Sequence, residues 1–401
     1  MRKLNLSTKI FVSLILGIIL GVVVSQFQLT FLLENIIQPV GTVFLSLMKM
    51  VIVPLVFCTL VASITNVGDM SKLGFLGKKT LVYYICTTLI AAIIGVAMAL
   101  AIGPGLGVML PTEEFVLGEQ ASFGSLIVDM VPTNVFKAFT EGNMLQIVIV
   151  AFFVGIAITI LGEKVERVKN FNNECVTIIY KIVELIMQVA PIAVFALIAD
   201  VIATNGFDIL GSLLKLIIVI VLGCFCQLLV YGISVKIFGR NNPITFYKKI
   251  MPAQLFSFTT ASSAATLPIS MKCAKEELGV SDTVANFVLN LGSTINMDGG
   301  AIYQAACAVF IAQIYNVDLG PTQIVIIIIT ASLASIGAAA IPGTVIVMMT
   351  MVLSAVGLPL EAIALIAGVD RILDMCTTAV NVSGDIAACT FVSAMEKDIK
   401  K

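Results

Sequence analysis

Histidine and tryptophan are both absent from the 401 residues. Without histidine there is no His-centred catalytic triad, no imidazole metal site and no histidine-ligated haem. Charge is scarce as well. Asp, Glu, Lys and Arg make up 12% of the chain, about half the roughly 25% of a soluble protein. The 23 basic and 24 acidic residues leave a net charge of −1, so neither a nucleic-acid footprint nor a polybasic membrane-surface patch is present. The nine cysteines include no CxxC pair, and Cys224 and Cys226 stand too close for a metal-ligand set. Most lie in apolar runs and read as soft packing residues, not as disulfides or metal ligands. What fills the chain is apolar: 59% hydrophobic residues and a mean hydropathy of +1.09. Such runs exclude a water-soluble fold and leave room for about eight spans of roughly 20 residues.

Lysine and arginine in short loops mark the cytoplasmic side of a membrane. Arg2, Lys3 and Lys9 precede the first run, about 10–25. That run lacks a small-residue cleavage site and more spans follow, so it reads as a first transmembrane helix, not a signal peptide. The connection 26–36 has no Lys or Arg, whereas Lys72, Lys78 and Lys79 follow the second run. A third run, 81–102, leads into the stretch 103–142, with Glu113, Glu114, Glu119, Asp129 and Glu141 against Lys137. Lys164, Arg167 and Lys169 follow a fourth run (143–161), and a fifth ends near Asp200 before a connection without positive charge. The sixth ends before Lys236, Arg240, Lys248 and Lys249. The signs alternate through six crossings, with both the N-terminus and residue 249 inside.

Four apolar stretches remain, about 252–271, 283–314, 322–356 and 359–394. Lys272 and Lys275 place both ends of the first inside, and the connections 315–321 and 357–361, without Lys or Arg, place both ends of the third outside. The tail from Glu396 to Lys401 reads as cytoplasmic. The economical solution is two full spans and two re-entrant hairpins, one from each face; four full crossings satisfy the same parity. The interiors favour hairpins. The first breaks within Thr260-Ala-Ser-Ser-Ala-Ala-Thr-Leu-Pro268, and the second within Ser335-Ile-Gly-Ala-Ala-Ala-Ile-Pro-Gly343. Small residues and proline free backbone groups at membrane depth, tolerable only where they are buried or line a cavity. Each break is followed by a span with a polar centre, Asn296-Met297-Asp298-Gly299 in one and Asp370 to Asp385 in the other. A hairpin plus an interrupted helix, twice and with opposite entry faces, is an inverted repeat, and such segments point to a transport site at the midplane.

An aspartate inside a membrane span costs roughly 2.5–3.5 kcal/mol on insertion scales, so each needs a partner or a role. From Asp374, the offsets to Thr378, Asn381 and Asp385 are four, seven and eleven residues. At about 100° per residue these form a single polar stripe. Carboxylates, an amide and hydroxyls suit a zwitterion and monovalent cations, although interhelical hydrogen bonding alone would also employ them. Lys49 reads as snorkelling to an interface, and Lys181 with Glu184 as a local pair.

Together these segments resemble the glutamate and neutral amino-acid transporter family (sodium:dicarboxylate symporter-like) over nearly the whole chain. The resemblance lies in Lys49-Met50 with Pro54, Tyr84 with Thr87-Thr88, and Ser262-Ser263 with Thr266-Leu267-Pro268. It continues through Thr294 to Gly299, Ser335-Ile336-Gly337, and Asp374 through Asn381 to Gly384-Asp385. It implies an all-α, elevator-type membrane transporter with eight transmembrane helices and two re-entrant hairpins, not an enzyme, working as a homotrimer in the plasma membrane with both termini cytoplasmic. Residues 1–240 would form mainly the scaffold, with helix 3 (about 81–102) and helix 6 (about 210–235) moving with the transport domain. Residues 241–401 would form that domain's core: hairpin 1 (about 250–271), helix 7 (283–314), hairpin 2 (322–356) and helix 8 (359–396).

By the same resemblance, Ser263 and Asn381 hold the substrate α-carboxylate, with Ser262 and Thr378 beside them. Asp374 takes the α-ammonium, and the second hairpin tip around Ile341 closes as the gate. No cofactor is implied, and Na⁺ is the coupling ion. One Na⁺ site uses Asp385 with backbone oxygens near Gly292, Asn296 and Asn381. A second uses Tyr84, Thr87, Thr88, Asn296 and Asp298. A third lies near Thr294, Met297 and the backbone of Ser335, Ile336 and Ala338. Two departures bear on the substrate. Acidic-substrate members carry Arg where Thr377 stands, clamping a side-chain carboxylate in bidentate fashion, and Thr where Gly300 stands. Losing both implies a small neutral amino acid such as serine, alanine, threonine or cysteine, or a longer neutral one in the space released. Three rival readings remain: an acidic substrate held by Arg371, coupling to protons through a carboxylate, and an intramembrane aspartyl protease using Asp298 and Asp385. The last lacks a GxGD motif, since position 382 is Val382, and has no use for the hairpins.

Overall fold

Hydrocarbon offers no partner to a backbone N–H or C=O, so an apolar chain of this kind satisfies its backbone internally. The computed structural model describes residues 6–69, 75–107, 128, 130–206, 208–338, 340 and 342–399, and among them it contains helices and turns but no strand. Lys72, Glu113, Glu114, Glu119 and Asp129, used above as topology markers, lie outside the described residues, as do Arg2, Lys3 and Lys401. The first six runs are helices close to where the charge pattern puts them. They are α1 (Leu6–Gln26), α2 (Gln38–Asp69), α3 (Phe75–Ile102), α4 (Met144–Leu161), α5 (Glu166–Asn205) and α6 (Asp208–Ile237). Among the described residues, six stretches are long and apolar enough to cross a membrane, and one of them, Met144–Thr204, covers both α4 and α5. The fold class is that of an all-α membrane protein.

The second half folds as two helical hairpins, each followed by a span. Helices α7 (Pro243–Thr260) and α8 (Ser263–Lys272) pack on each other and are parted at Ala261, whose φ of 51° is left-handed. Pro268 lies inside α8, so the break is narrower than the small-residue stretch suggests. Then follow α9 (Asp282–Ile295) and α10 (Asp298–Ile314), interrupted at Asn296 and Met297. The second hairpin is α11 (Pro321–Gly337) and α12 (Thr344–Ala355). Its tip meets the first: Ser262 Oγ donates to the Ala340 carbonyl at 2.8 Å, and the Ala264 N–H to the same oxygen at 3.4 Å.

One expectation needs correction. The polar centre of the last span does not interrupt it, because α13 runs unbroken from Asp370 to Ile399. The interruption comes earlier, in a turn at Gly368-Val369 after the short helix Ile363–Ala367. Polar side chains with partners of their own leave the helical backbone intact, so the second repeat resembles the first less closely than its composition suggests.

Two packing groups emerge. In one, α5 packs on α1 and α2, and α4 on α2. The α1–α5 contact is close because a Cβ at Gly17 would come within 2.6 Å of the Phe195 carbonyl, and one at Gly21 within 2.8 Å of the Ala199 carbonyl. Small residues of this kind let membrane helices approach backbone to backbone. In the other, α10 lies against α3, α6, α11, α12 and α13, and α13 also packs on α7 and α9. Where the groups meet, Leu60, Met48, Met187 and Ile198 of the first face Gly337, Gly343 and Gly368 of the second.

Candidate functional site

The interruption between α9 and α10 is the centre of the polar interior. Asn296 (φ −93°, ψ 77°) and Met297 (φ −106°, ψ 53°) leave the helical region. The last carbonyls of α9 and the first N–H groups of α10 are therefore freed from helix pairing. Asp298 opens α10, where the helix dipole favours negative charge. Its carboxylate is fully enclosed and accepts from Thr88 Oγ1 (2.6 Å), Tyr231 OH (2.6 Å) and Gln227 Nε2 (3.1 Å). Asn296 Nδ2 donates to Asp385 Oδ1 at 3.0 Å, and Thr87 Oγ1 lies 3.4 Å from Asn296 Oδ1. Tyr84 OH donates to the Val288 carbonyl at 2.9 Å. Gly292 lies under both Asp385 and Tyr84, and a Cβ there would collide with Asp385 Oδ1 and the Tyr84 hydroxyl.

A second cluster adjoins the first along α13. Asp374 Oδ2 accepts from the Gly343 N–H at 3.1 Å, which ties the second hairpin tip to this helix. Thr378 Oγ1 lies 3.5 Å from Asp374 Oδ1. Asn381 Oδ1 accepts from the Gly299 N–H at 2.7 Å, and its Nδ2 faces Met297 Sδ at 3.3 Å. The sequence stripe Asp374–Thr378–Asn381–Asp385 is thus one face of α13, reaching from the second hairpin tip to the α9–α10 break. Thr377 Oγ1 donates back to the Asp374 carbonyl at 3.2 Å, and its backbone is packed on Gly299, where no Cβ would fit. Gly300 faces Val345 and Met297, each between 3.6 and 3.9 Å from where a Cβ would stand.

The remaining expected residues fall around these clusters. Ser262 caps α8 by accepting from the Ala265 N–H at 3.2 Å, and Ser263 is buried at the first position of that helix. Ser335 Oγ donates to the Met297 carbonyl at 2.5 Å, joining α11 to the break. Ala338 is buried just beyond α11, and Ile336 is partly buried against the core. Thr294 Oγ1 donates within its own helix, to the Leu291 carbonyl at 3.1 Å. Ile341 lies outside the described residues.

Arg371 Nη2 donates to the Thr260 carbonyl on the first hairpin at 3.1 Å, and its Nη1 lies 4.0 Å from Asp374 Oδ2. It bridges α13 to the hairpin. Asp370 accepts from Tyr303 OH at 2.7 Å. Three residues that sequence reasoning passed over, Gln227, Tyr231 and Tyr303, hold these carboxylates. The signal for the first two was two polar residues four apart in an otherwise apolar span, on one helical face.

Chemically, Asp298 is held by two hydroxyls and an amide N–H, and Asp385 by an amide N–H. Among the described residues no group of three or more His, Cys, Asp or Glu could hold a metal. Interrupted helices from two hairpins and a span, converging on buried carboxylates, are the architecture of a secondary transporter. The chain belongs to the sodium:dicarboxylate symporter family, whose model matches residues 6–395. It is similar to the proton/sodium-glutamate symport protein of Geobacillus stearothermophilus, with 36% identity over 99% of this chain and 96% of that one. It is similar to the proton/glutamate-aspartate symporter of Escherichia coli (strain K12), with 34% identity over 98% and 93% of the two chains. It is also similar to the neutral amino acid transporter B(0) of Bos taurus, at 35% over 86% and 71%. The protein is a multi-pass membrane symporter.

Proposed function

We propose that this symporter carries an amino acid, that the amino acid is small and neutral (serine, alanine, threonine or cysteine), and that Na⁺ drives it. The observation carrying the reading is the pair Thr377 and Gly300, which stand where acidic-substrate members of the resembling family place Arg and Thr. Thr377 is fully buried, and Gly300 faces the apolar Val345 and Met297. A substrate carboxylate buried there without a cation would cost several kcal/mol, whereas a small side chain or a hydroxyl would not. Asp374 is the partner for the α-ammonium, with Asn381, Ser263 and Thr378 for the α-carboxylate. The oxygen sets around Asp298, Asp385 and Met297 are the places for Na⁺.

In the same proposal α1, α2, α4 and α5 form a homotrimeric scaffold, and α3 with α6–α13 forms a unit that moves past it as an elevator, with both chain termini cytoplasmic. Long apolar side chains opposite glycines make a contact without strong register, which suits sliding. A second reading, transport of aspartate or glutamate with Na⁺ or protons, draws on the names of the relatives and on Arg371 near Asp374. Against it, the Arg371 guanidinium is engaged with the Thr260 carbonyl.

The deciding experiment is uptake of labelled L-serine into proteoliposomes, with and without an inward Na⁺ gradient, competed by unlabelled L-aspartate. Na⁺-driven uptake that aspartate leaves untouched supports the proposal; strong inhibition by aspartate moves the assignment to the second reading. In the same assay Thr377→Arg should raise aspartate affinity about tenfold or more through a bidentate guanidinium–carboxylate pair. A variant no better than wild type at binding aspartate shows that Thr377 does not face the ligand.

A further inference from the structure

Helix α6 reads as an apolar span, yet Gln227 is completely enclosed within it. A glutamine amide has two donors and an acceptor oxygen to satisfy. Its Nε2 donates to Asp298 Oδ2 at 3.1 Å and to the Thr87 carbonyl at 3.2 Å. Its Oε1 has no hydrogen-bond partner. An unpaired acceptor at that depth is unfavourable, and such orphans in a native interior ask for an explanation. Here the location supplies one. The nitrogen occupies the gap between a carboxylate oxygen and a main-chain carbonyl oxygen, presenting partial positive charge to both.

A cation in that gap would meet the same two oxygens. A half-turn of the amide about its last bond exchanges the two ends, bringing Oε1 to where Nε2 now stands. The orphan is then an acceptor beside Asp298 Oδ2 and Thr87 O, and three oxygens from three helices converge. Asp298 is also held by the hydroxyls of Thr88 and Tyr231, at 2.6 Å each. We infer that Gln227 contributes its side-chain oxygen to the cation carried at Asp298 and is a determinant of cation affinity. The inference rests on the Na⁺ reading above.

The test is equilibrium binding of ²²Na⁺ to the full-length protein in detergent, with choline as the replacing cation and thermal unfolding as the check on folding. Gln227→Leu is expected to weaken binding about tenfold or more, the scale seen when partners around a metal ligand are removed. Gln227→Glu, which keeps an oxygen at the same reach, is expected to bind at least as tightly as wild type. If the leucine variant lacks a cooperative thermal transition, Gln227→Asn replaces it, since it withdraws the oxygen by one methylene and should weaken binding likewise. A leucine or asparagine variant that binds as tightly as wild type overturns the inference, and so does a glutamate variant weakened as much as leucine. If wild type binds Na⁺ and Asp298→Asn does not, a normal Gln227 variant sinks this inference alone. Absence of saturable binding by wild type sinks the Na⁺ reading and this with it.

Discussion

Helices α1 and α10 are built from similarly apolar stretches and live in opposite surroundings. Phe11, Leu16 and Ile19 on α1 are half exposed, and the helix meets α5 through its glycines. On α10 every residue from Asp298 to Ala312 is buried. A helix with an open apolar face is solvated by lipid or by another chain, and it can carry nothing polar there. A helix enclosed on all sides can hold Asp298, Tyr303 and Gln304 because its neighbours bring partners to them. The first packing group thus turns apolar side chains outward, and the second encloses polar ones.

That division can be broken most sharply at Asp374. Asp374→Asn should lower the initial rate of amino-acid uptake into proteoliposomes by roughly 100-fold or more, the scale for removing one partner of a buried charge pair. A rate near wild type would mean that the polar face of α13 is packing and no more. Next in size is Gly299→Ala. Its new methyl would fall on the Thr377 backbone, and overpacking of a tight core costs about 1–3 kcal/mol, read as a lower thermal midpoint in detergent. An unchanged midpoint would show that α10 and α13 can part without cost. The smallest effect belongs to the first group. Lys181 and Glu184 pair at 2.8 Å with both side chains about 60% exposed, so Lys181→Ala should move stability by no more than ~0.5 kcal/mol. A larger loss would place that pair in an enclosed setting.

Much of this was legible because membrane physics leaves few choices. Loop lysines gave six runs that are six helices, and small residues with proline inside apolar stretches gave both hairpins, whose tips meet at Ser262 and Ala340. The Asn296-Met297 break was legible for the same reason. The continuity of α13 was not, because a row of polar residues looks alike whether the backbone opens or the side chains find partners. Gln227 and Tyr231 were missed because their partner, Asp298, lies about 70 residues along the chain, and no local periodicity records a contact of that range. The stripe on α13 was read correctly as one face, but its division of labour, with Asp374 toward a hairpin and Asp385 toward Asn296, depends on which helices lie opposite.

The enclosure of α10 has a consequence for how the protein is made. Its 17 residues rise about 26 Å, short of a hydrocarbon layer of roughly 30 Å. Its glycines and alanines, which let neighbours come close, also deprive it of the hydrophobicity that would draw it into lipid. The bilayer therefore has little reason to accept this helix by itself. It must be taken in together with α3 and α6, already synthesised, and held until α13 arrives to close the last side. The helix that begins with the enclosed Asp298 is thus one whose insertion depends on company.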